Sequence, residues 1–189
     1  MSRWVKVLVI AVVVLLLLAL AGVLWVRHAV TASLPALEGE VAVTGLAAPV
    51  VVERDALGVP TIRGESREDV ARGLGFVHAQ ERFFQMDLLR RQGAGELSEL
   101  FGPAAVDADR AARLHRFRHR ARRAVEALPA AHRRILDAYV DGVNAGLDAL
   151  GSPPFEYLLL RLDPAPWRPE DSMLALHAMY FTLNDSTGR

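Results

Sequence analysis

The sequence predicts a mostly α-helical fold with a short N-terminal β segment, preceded by one transmembrane helix. Residues 7–26 form an uncharged, apolar run of 20 residues. Short β-branched runs then follow between residues 40 and 63, bounded by glycine and proline, as is typical of strands. From residue 66 onward, apolar residues recur at intervals of three and four, which is the period of an α-helix.

The apolar run at the N-terminus is long enough to span a bilayer. At about 1.5 Å of rise per residue, its helix covers roughly 30 Å, the thickness of the hydrocarbon core. Arg3 and Lys6 precede it, and the next lysine or arginine is Arg27. This charge bias favours an N-terminus in the cytoplasm.

We therefore expect residues 1–30 to be a cytoplasmic tip and a signal-anchor, and residues 31–39 to be a spacer. The rest would lie on the extracytoplasmic, periplasmic side of a single-pass protein. A cleaved signal peptide is the alternative, because Ala19-Leu20-Ala21 fits a small-x-small cleavage pattern. The apolar run continues to Val26, however, whereas the apolar part of a signal peptide is typically about 7–15 residues long. A buried core helix is a third alternative.

Composition excludes several classes of function. Lys+Arg and Asp+Glu each number 22, so the formal net charge is zero and nothing indicates nucleic acid as a partner. The chain has no cysteine, which excludes disulfides, thiol nucleophiles and cysteine-based zinc sites.

The remaining elements follow from turn residues and periodicity. A capping box of Ser66 and Asp69 opens a long helix, which Gly93-Ala94-Gly95 ends. Pro129 precedes a later helix, and Pro169 suits the first turn of the last one. In chain order, we expect two or three short strands among 40–43, 50–53 and 61–63, then helices from 66 to about 92, 103–128, 129–150, 155–162 and 169–183.

The first of these helices carries a carboxylate on its apolar face. Glu81 shares that face with five apolar residues, and a carboxylate buried there needs a partner. A structural ion pair with a nearby arginine and a catalytic carboxylate are both consistent with the sequence. The apolar residues of this face are Val70, Leu74, Val77, Phe84 and Leu88.

The densest charge cluster lies between residues 110 and 123, where seven residues are arginine. It is either a solvated helix face with ion-paired arginines or a surface that attracts anionic lipid head groups. His115 and His119 are four residues apart, a spacing that can hold a metal, but the surrounding cations disfavour one. No Gly-x-Ser-x-Gly or phosphate-binding loop occurs, so residue chemistry predicts no catalytic residue.

Five segments, taken in order, resemble the α-subunit region of the penicillin acylase (penicillin amidase) family. The resemblance covers roughly residues 50 to 188. The segments are RDALGVPTI at 54–62, FVHAQERFFQMDLLRR at 76–91, GELSE at 95–99 with Gly102, YVDGVNA at 139–145 and PWRPEDS at 166–172.

The resemblance implies an N-terminal-nucleophile hydrolase of αββα fold. Such a protein is made as a precursor that cuts itself into an α and a β chain. The first residue of the β chain is a serine whose own amino group acts as the base in amide hydrolysis. Substrates of the family include penicillin-type amides and acyl-homoserine lactones. Residues 40–189 would be an incomplete α-chain region, inactive alone, and its partners the β chain, an acyl-amide small molecule and the membrane.

Little of the family's site maps onto this chain. The resemblance implies that Met179 and Leu183 contribute to the acyl pocket, although they could equally be packing residues. It implies calcium for the full-length protein only, because Arg189 stands where relatives place a glutamate ligand and Asp185 is a poor substitute. No catalytic residue and no metal ligand are therefore expected here. The alternative function is a non-catalytic, membrane-anchored interaction module on the same scaffold.

Overall fold

The computed structural model describes residues 2–185, with the side chains of Thr182, Asn184 and Asp185 excepted. The predicted fold class is confirmed: these residues are mostly helical and include one two-stranded antiparallel sheet. The elements are α1 (Arg3–Ala32), β1 (Val51–Arg54), β2 (Pro60–Arg63), α2 (Arg67–Ala94), α3 (Ser98–Phe101), a 3-10 turn (Gly102–Ala105), α4 (Val106–Arg113), α5 (Phe117–Glu126), α6 (Ala130–Asp148), α7 (Phe155–Leu160) and α8 (Pro169–Asp185).

Helix α1 is a single unbroken helix of 30 residues, none of which is buried. Its length and composition would allow it to cross a membrane, and a signal sequence would pass the same test. The exposure of the whole helix disfavours a buried core helix. The helix extends two residues into the predicted spacer, and the Ala32 carbonyl then lies near Gly151 in the loop between α6 and α7.

The β segment contains two strands, in agreement with the two or three that were predicted. β1 and β2 pair antiparallel with Val52 opposite Ile62, and the Asp55 carboxylate accepts hydrogen bonds from the N–H groups of Leu57 and Val59 in the turn. The segment at 40–43, from which a third strand could have formed, is irregular. It has no neighbouring strand with which to form a ladder, so its backbone gains nothing from extended geometry.

The predicted cap of α2 is confirmed. The Ser66 oxygen accepts a hydrogen bond from the Asp69 N–H at 3.0 Å, while its own O–H donates to Asp69 Oδ2 at 2.8 Å. The other oxygen of Asp69 accepts from the Ala47 N–H at 2.9 Å, and this bond is the main reason that the pKa of Asp69 is lowered. The helix ends at Gly95, whose φ of 72° suits glycine.

The predicted buried face of α2 is only partly correct. Arg82 departs from helical geometry, with φ −150° and ψ 29°, and the resulting kink changes which side chains face the core. Among the predicted residues Val77 is buried, whereas Leu74 is exposed. Beyond the kink, the buried positions of α2 are Phe83, Met86, Asp87, Arg90, Arg91, Gly93 and Ala94.

The helix predicted over residues 103–128 is also wrong, because the chain forms a 3-10 turn and two separate helices there. The break lies at Arg116, whose φ of 54° is unusual for a residue with a side chain. This turn leaves Leu114 82% exposed and directs Phe117 into the core. The apolar face that was predicted to begin at Leu114 therefore begins at Phe117 instead.

Helices α2 and α6 approach each other through glycine. A Cβ atom on Gly142 would lie 2.0 Å from the Arg72 carbonyl oxygen, and one on Gly75 would lie 2.2 Å from the Tyr139 carbonyl oxygen. Next to this contact, buried side chains from three helices and from the loop before α8 form the main core. They are Ala79, Phe83, Met86, Val140, Val143, Tyr157 and Trp167.

Candidate functional site

A buried ion network joins α8 to the middle of the fold. Asp87 on α2 is fully buried, and its Oδ1 lies 2.6 Å from Arg90 Nε. Arg90 Nη1 contacts Asp171 Oδ2 on α8 at 2.7 Å. The same guanidinium donates to the carbonyls of Ala165 and Pro166, each at 2.8 Å. Every nitrogen of Arg90 therefore has an acceptor, as a buried cation requires.

The second oxygen of Asp87 is also occupied. Tyr157 donates its O–H to Asp87 Oδ2 at 2.6 Å, and burial raises the pKa of this tyrosine. Arg91 Nε contacts Asp87 Oδ1 at 2.9 Å, and Asp87 is the main charge that raises the pKa of Arg91 against the opposing effect of burial. With both oxygens taken by donors from α2 and α7, Asp87 holds these two helices together.

Helix α5 joins this network through Arg118. Its Nε donates to Glu96 Oε1 at 2.6 Å, and its Nη1 lies 3.2 Å from Asp171 Oδ1. Burial lowers the pKa of Arg118, but the hydrogen bond to Glu96 and the charges of Glu96 and Asp171 raise it by more. Asp171 thus binds one arginine from α2 and one from α5, which fixes the first turn of α8 against both helices.

The remainder of α8 has a buried side and an exposed, apolar side. Leu174 and Ala178 are fully buried, and the Leu174 carbonyl lies against Gly93 of α2. Met179 and Leu183, the two predicted pocket residues, are 51% and 65% exposed and lie four residues apart. The exposed apolar side chains of α8 are Leu176, Met179, Tyr180 and Leu183.

An aromatic cluster connects α8 to α5. The His177 ring stacks on Phe117 at 4.4 Å between centroids, and the His115 ring stacks on Phe117 at 5.3 Å. Phe181 packs against both His115 and Phe117. His177 Nδ1 is buried without a hydrogen-bond partner among the described residues. Burial, and secondarily the charge of Arg120, lower the pKa of His177.

Two sequence predictions about charged residues can be compared with this geometry. Glu81 forms an ion pair, as predicted, but its close partner is Arg54 of β1 at 2.5 Å, whereas Arg82, an arginine nearby in sequence, lies 3.8 Å away. His115 belongs to the aromatic cluster while His119 is exposed on α5, so the two histidines have different surroundings. Among the side chains that the structure describes, no group of three or more His, Asp or Glu residues could hold a metal ion.

Sequence reasoning missed the ion network. The acidic residues that form it are visible in the sequence: Asp87 lies inside QMDLLRR, and Asp171 follows Trp167. Periodicity treats such residues as surface positions, and only the packing of α2 on α8 brings them together. Asn144 links α6 to the loop before α8. Its amide oxygen accepts a hydrogen bond from the Trp167 N–H at 2.8 Å, and its amide nitrogen donates to the Trp167 carbonyl at 3.0 Å.

Four of the five segments that carry the family resemblance meet in this region. They supply Asp87, Arg90, Arg91, Glu96, Asn144 and Asp171. The family model described as penicillin amidase matches residues 49–189. The chain belongs to the penicillin amidase family. The segments that carry the resemblance therefore supply most of the residues of this network.

Individual relatives agree with this assignment. The chain is 45% identical over 154 residues to the penicillin acylase 2 proenzyme of Pseudomonas sp. (strain SE83), covering 81% of this chain and 20% of that protein. It is 36% identical over 172 residues to the acyl-homoserine lactone acylase QuiP of Pseudomonas aeruginosa, covering 88% of this chain and 20% of that protein. The chain thus spans about a fifth of the length of these curated relatives.

A solved structure gives the same fold. The thermostable penicillin G acylase from Alcaligenes faecalis superimposes with a TM-score of 0.65 at 30% identity. The match covers 72% of this chain and 75% of that solved chain. The solved chain is therefore of similar length to this one, although the curated relatives are about four times as long as this chain.

Proposed function

We propose that this chain is the membrane-anchored α-chain region of an extracytoplasmic hydrolase that cleaves acyl amides. The nucleophile would be the N-terminal serine of a β chain that lies outside the sequence described. Membership of the penicillin amidase family supports amide hydrolysis.

The observation that carries this proposal is the exposed apolar side of α8. Met179 and Leu183 are more than half exposed, although buried ion pairs hold the first turn of α8 in place. Large apolar side chains on a firmly held helix are typical of a surface that another part of the protein or a ligand covers. We propose that the β chain covers part of this side and that Met179 and Leu183 contact the acyl group.

The anchoring is a separate part of the proposal. Helix α1 has the length and composition of a membrane span, and Arg3 and Lys6 lie at its N-terminal end. These features support a single-pass protein with its N-terminus in the cytoplasm and the bulk on the periplasmic side. Flotation of the full-length protein with membranes after carbonate washing tests the anchor. A soluble, shortened product that begins after Ala21 would show signal cleavage instead.

Substrate class and calcium are proposals for the whole protein. The named relatives include a penicillin acylase and an acyl-homoserine lactone acylase, so we propose one of these two kinds of acyl amide as the substrate. Calcium would have to be held largely by residues beyond those described, because residues 2–185 offer no cluster of suitable ligands. Loss of activity in a chelator, with recovery on adding calcium, would support that part.

The enzyme proposal is tested by turnover of acyl-amide reporters. The full-length precursor should divide into two chains and hydrolyse a phenylacetyl anilide or an acyl-homoserine lactone, and residues 1–189 alone should not. Turnover by residues 1–189 alone would show that the nucleophile lies within this chain. A full-length protein that neither divides nor hydrolyses either reporter would favour the non-catalytic interaction module.

The pocket residues are tested by specificity. Met179→Ala or Leu183→Ala should change the relative KM of short and long acyl reporters and leave the folded state intact, because both side chains are exposed. Leu159→Ala is the matched control, since this leucine is 76% exposed on α7 and lies outside the proposed pocket. Equal behaviour of all three variants would exclude Met179 and Leu183 from the pocket.

A further inference from the structure

Helix α5 has an arginine-rich face that the ion pairs of the fold do not use. Its buried side consists of Phe117, Ala121 and Val125. Arg120 and Arg123 are three residues apart and therefore lie on one face of the helix, and Arg116 immediately precedes its first residue. All three are exposed, and His119 lies beside them and is exposed as well.

The acids near α5 are occupied on its other side. Arg118 binds Glu96 and Asp171, and Arg122 lies 3.3 Å from Glu170. In contrast, no ion pair joins Arg116, Arg120 or Arg123 to any acid in the described part of the chain. The ion-paired interpretation of the arginine cluster therefore holds for only part of it.

The remaining charge stands out against a neutral chain. The formal net charge is zero, so three cations on one face without acidic partners are a local separation of charge. Glu126 is the acid on α5 itself, and it lies at the C-terminal end of the helix, three residues after Arg123. The planar guanidinium group binds phosphate through two parallel hydrogen bonds, which makes such a face suited to phosphate groups.

The membrane helix determines which phosphates this face would meet. Only residues 33–39 separate the end of α1 from the start of the predicted domain at residue 40. Seven residues reach at most about 25 Å when fully extended. The domain is therefore held near one leaflet, and the high effective concentration allows weak individual contacts to act together.

We propose that Arg116, Arg120 and Arg123 form a docking face for the phosphate head groups of anionic phospholipids in the leaflet that faces the domain. This inference rests on the membrane anchoring given under Proposed function. Its consequence is an orientation: α5 faces the bilayer. The exposed apolar side of α8 would then have a fixed position relative to the membrane, because α5 and α8 are joined by Arg118 and the aromatic cluster.

The first test maps arginine reactivity on the full-length protein in nanodiscs. Phenylglyoxal modification is measured for each arginine by mass spectrometry, in phosphatidylcholine discs and in discs that also contain phosphatidylglycerol. Anionic lipid should slow modification of Arg116, Arg120 and Arg123 by about fivefold each, and high salt should restore it. Arg134, whose side chain is 65% exposed on α6, is the internal control and should not change.

Two further arms of this test separate the alternatives. Inorganic phosphate added to phosphatidylcholine discs distinguishes a free anion from a lipid surface, and protection by phosphate alone would overturn the lipid assignment. Slow modification in every lipid and at every salt concentration would show that another part of the protein covers the face, and would also overturn it. A protein that fails to float with the discs would instead refute the anchoring.

The second test measures proximity to the bilayer. The described chain has no cysteine, so Ala124→Cys gives a single label on the exposed part of α5 once any cysteines elsewhere in the precursor are replaced by serine. Nitroxide lipid head groups should quench a fluorophore there in anionic discs. The R116Q/R120Q/R123Q variant should lose this quenching, while R63Q/R133Q/R134Q should keep it. Equal quenching in both variants would overturn the proposal.

Discussion

Asp171 and Arg90 form a buried ion pair, 2.7 Å from Oδ2 to Nη1, that attaches the first turn of α8 to α2. The side chains are 2% and 5% exposed, and Asp171 also contacts Arg118. A buried pair of this kind contributes less to stability than its geometry suggests, but removing one partner leaves a buried charge without compensation. Replacing one carboxylate oxygen of Asp171 by a neutral group should therefore have a large effect on the free energy of unfolding.

Asp171→Asn should lower the free energy of unfolding by about 3–5 kcal/mol, because Arg90 and Arg118 lose a buried counter-charge. The measurement is urea-induced unfolding of the full-length protein in detergent micelles. Asp141→Asn is the matched control, since that carboxylate is 61% exposed and its ion pair with Arg72 should be worth at most about 1 kcal/mol. Equal losses in the two variants would refute the importance of burial.

Gly142→Ala should destabilise the contact between α2 and α6. The added methyl group would lie 2.0 Å from the Arg72 carbonyl oxygen, which is backbone and cannot move away without displacing the helix. We expect a loss of about 1–3 kcal/mol, even though alanine favours helix more than glycine. The control is Gly22→Ala on α1, where a Cβ would meet nothing within 4 Å. A neutral Gly142→Ala protein would mean that the helices lie further apart.

Asp109→Asn should cost about 1–2 kcal/mol, because the Asp109 carboxylate accepts the N–H groups of Leu97 and Ser98, each at 2.8 Å. Burial opposes ionisation, but the hydrogen bonds from Ser98 and Leu97 lower the pKa of Asp109 overall. Its contribution is therefore complete above about pH 3.8 and is lost as the pH falls through the lower folded value. Thermal unfolding from pH 7 to 3 measures both effects. Asp107→Asn, with a 96% exposed side chain, should change neither.

His177→Phe should flatten the dependence of stability on pH. The folded pKa of His177 lies below the ordinary 6.5, so its neutral form stabilises the fold above that pH, and the stability is lost as the pH falls through the folded value. Phenylalanine keeps the stacking on Phe117 and removes the unpaired Nδ1. Between pH 7 and pH 5, the melting temperature of the variant should therefore fall by less than that of the parent protein. His119→Phe adds the same ring at an exposed site and serves as the control.

Much of the fold could be predicted because its signals are local. The cap formed by Ser66 and Asp69, the end of α2 at Gly95 and the start of α8 at Pro169 each depend on residues within a few positions of one another. Predictions failed where the backbone left its regular course. The kink at Arg82 and the positive φ of Arg116 have no strong residue signal, and each changes which side chains are buried further along.

The sequence by itself determined the apolar N-terminal helix, the helical character of the rest and the family, because these depend on composition, periodicity and the order of short segments. The tertiary structure alone decided the roles of Asp87 and Asp171. A charged residue in a helix is ordinarily assigned to the surface, and its burial becomes favourable only when partners from distant segments lie at hydrogen-bond distance. The same packing decided which arginines of α5 are paired and which remain available at the surface, since the acids that bind Arg118 lie 22 and 53 residues away.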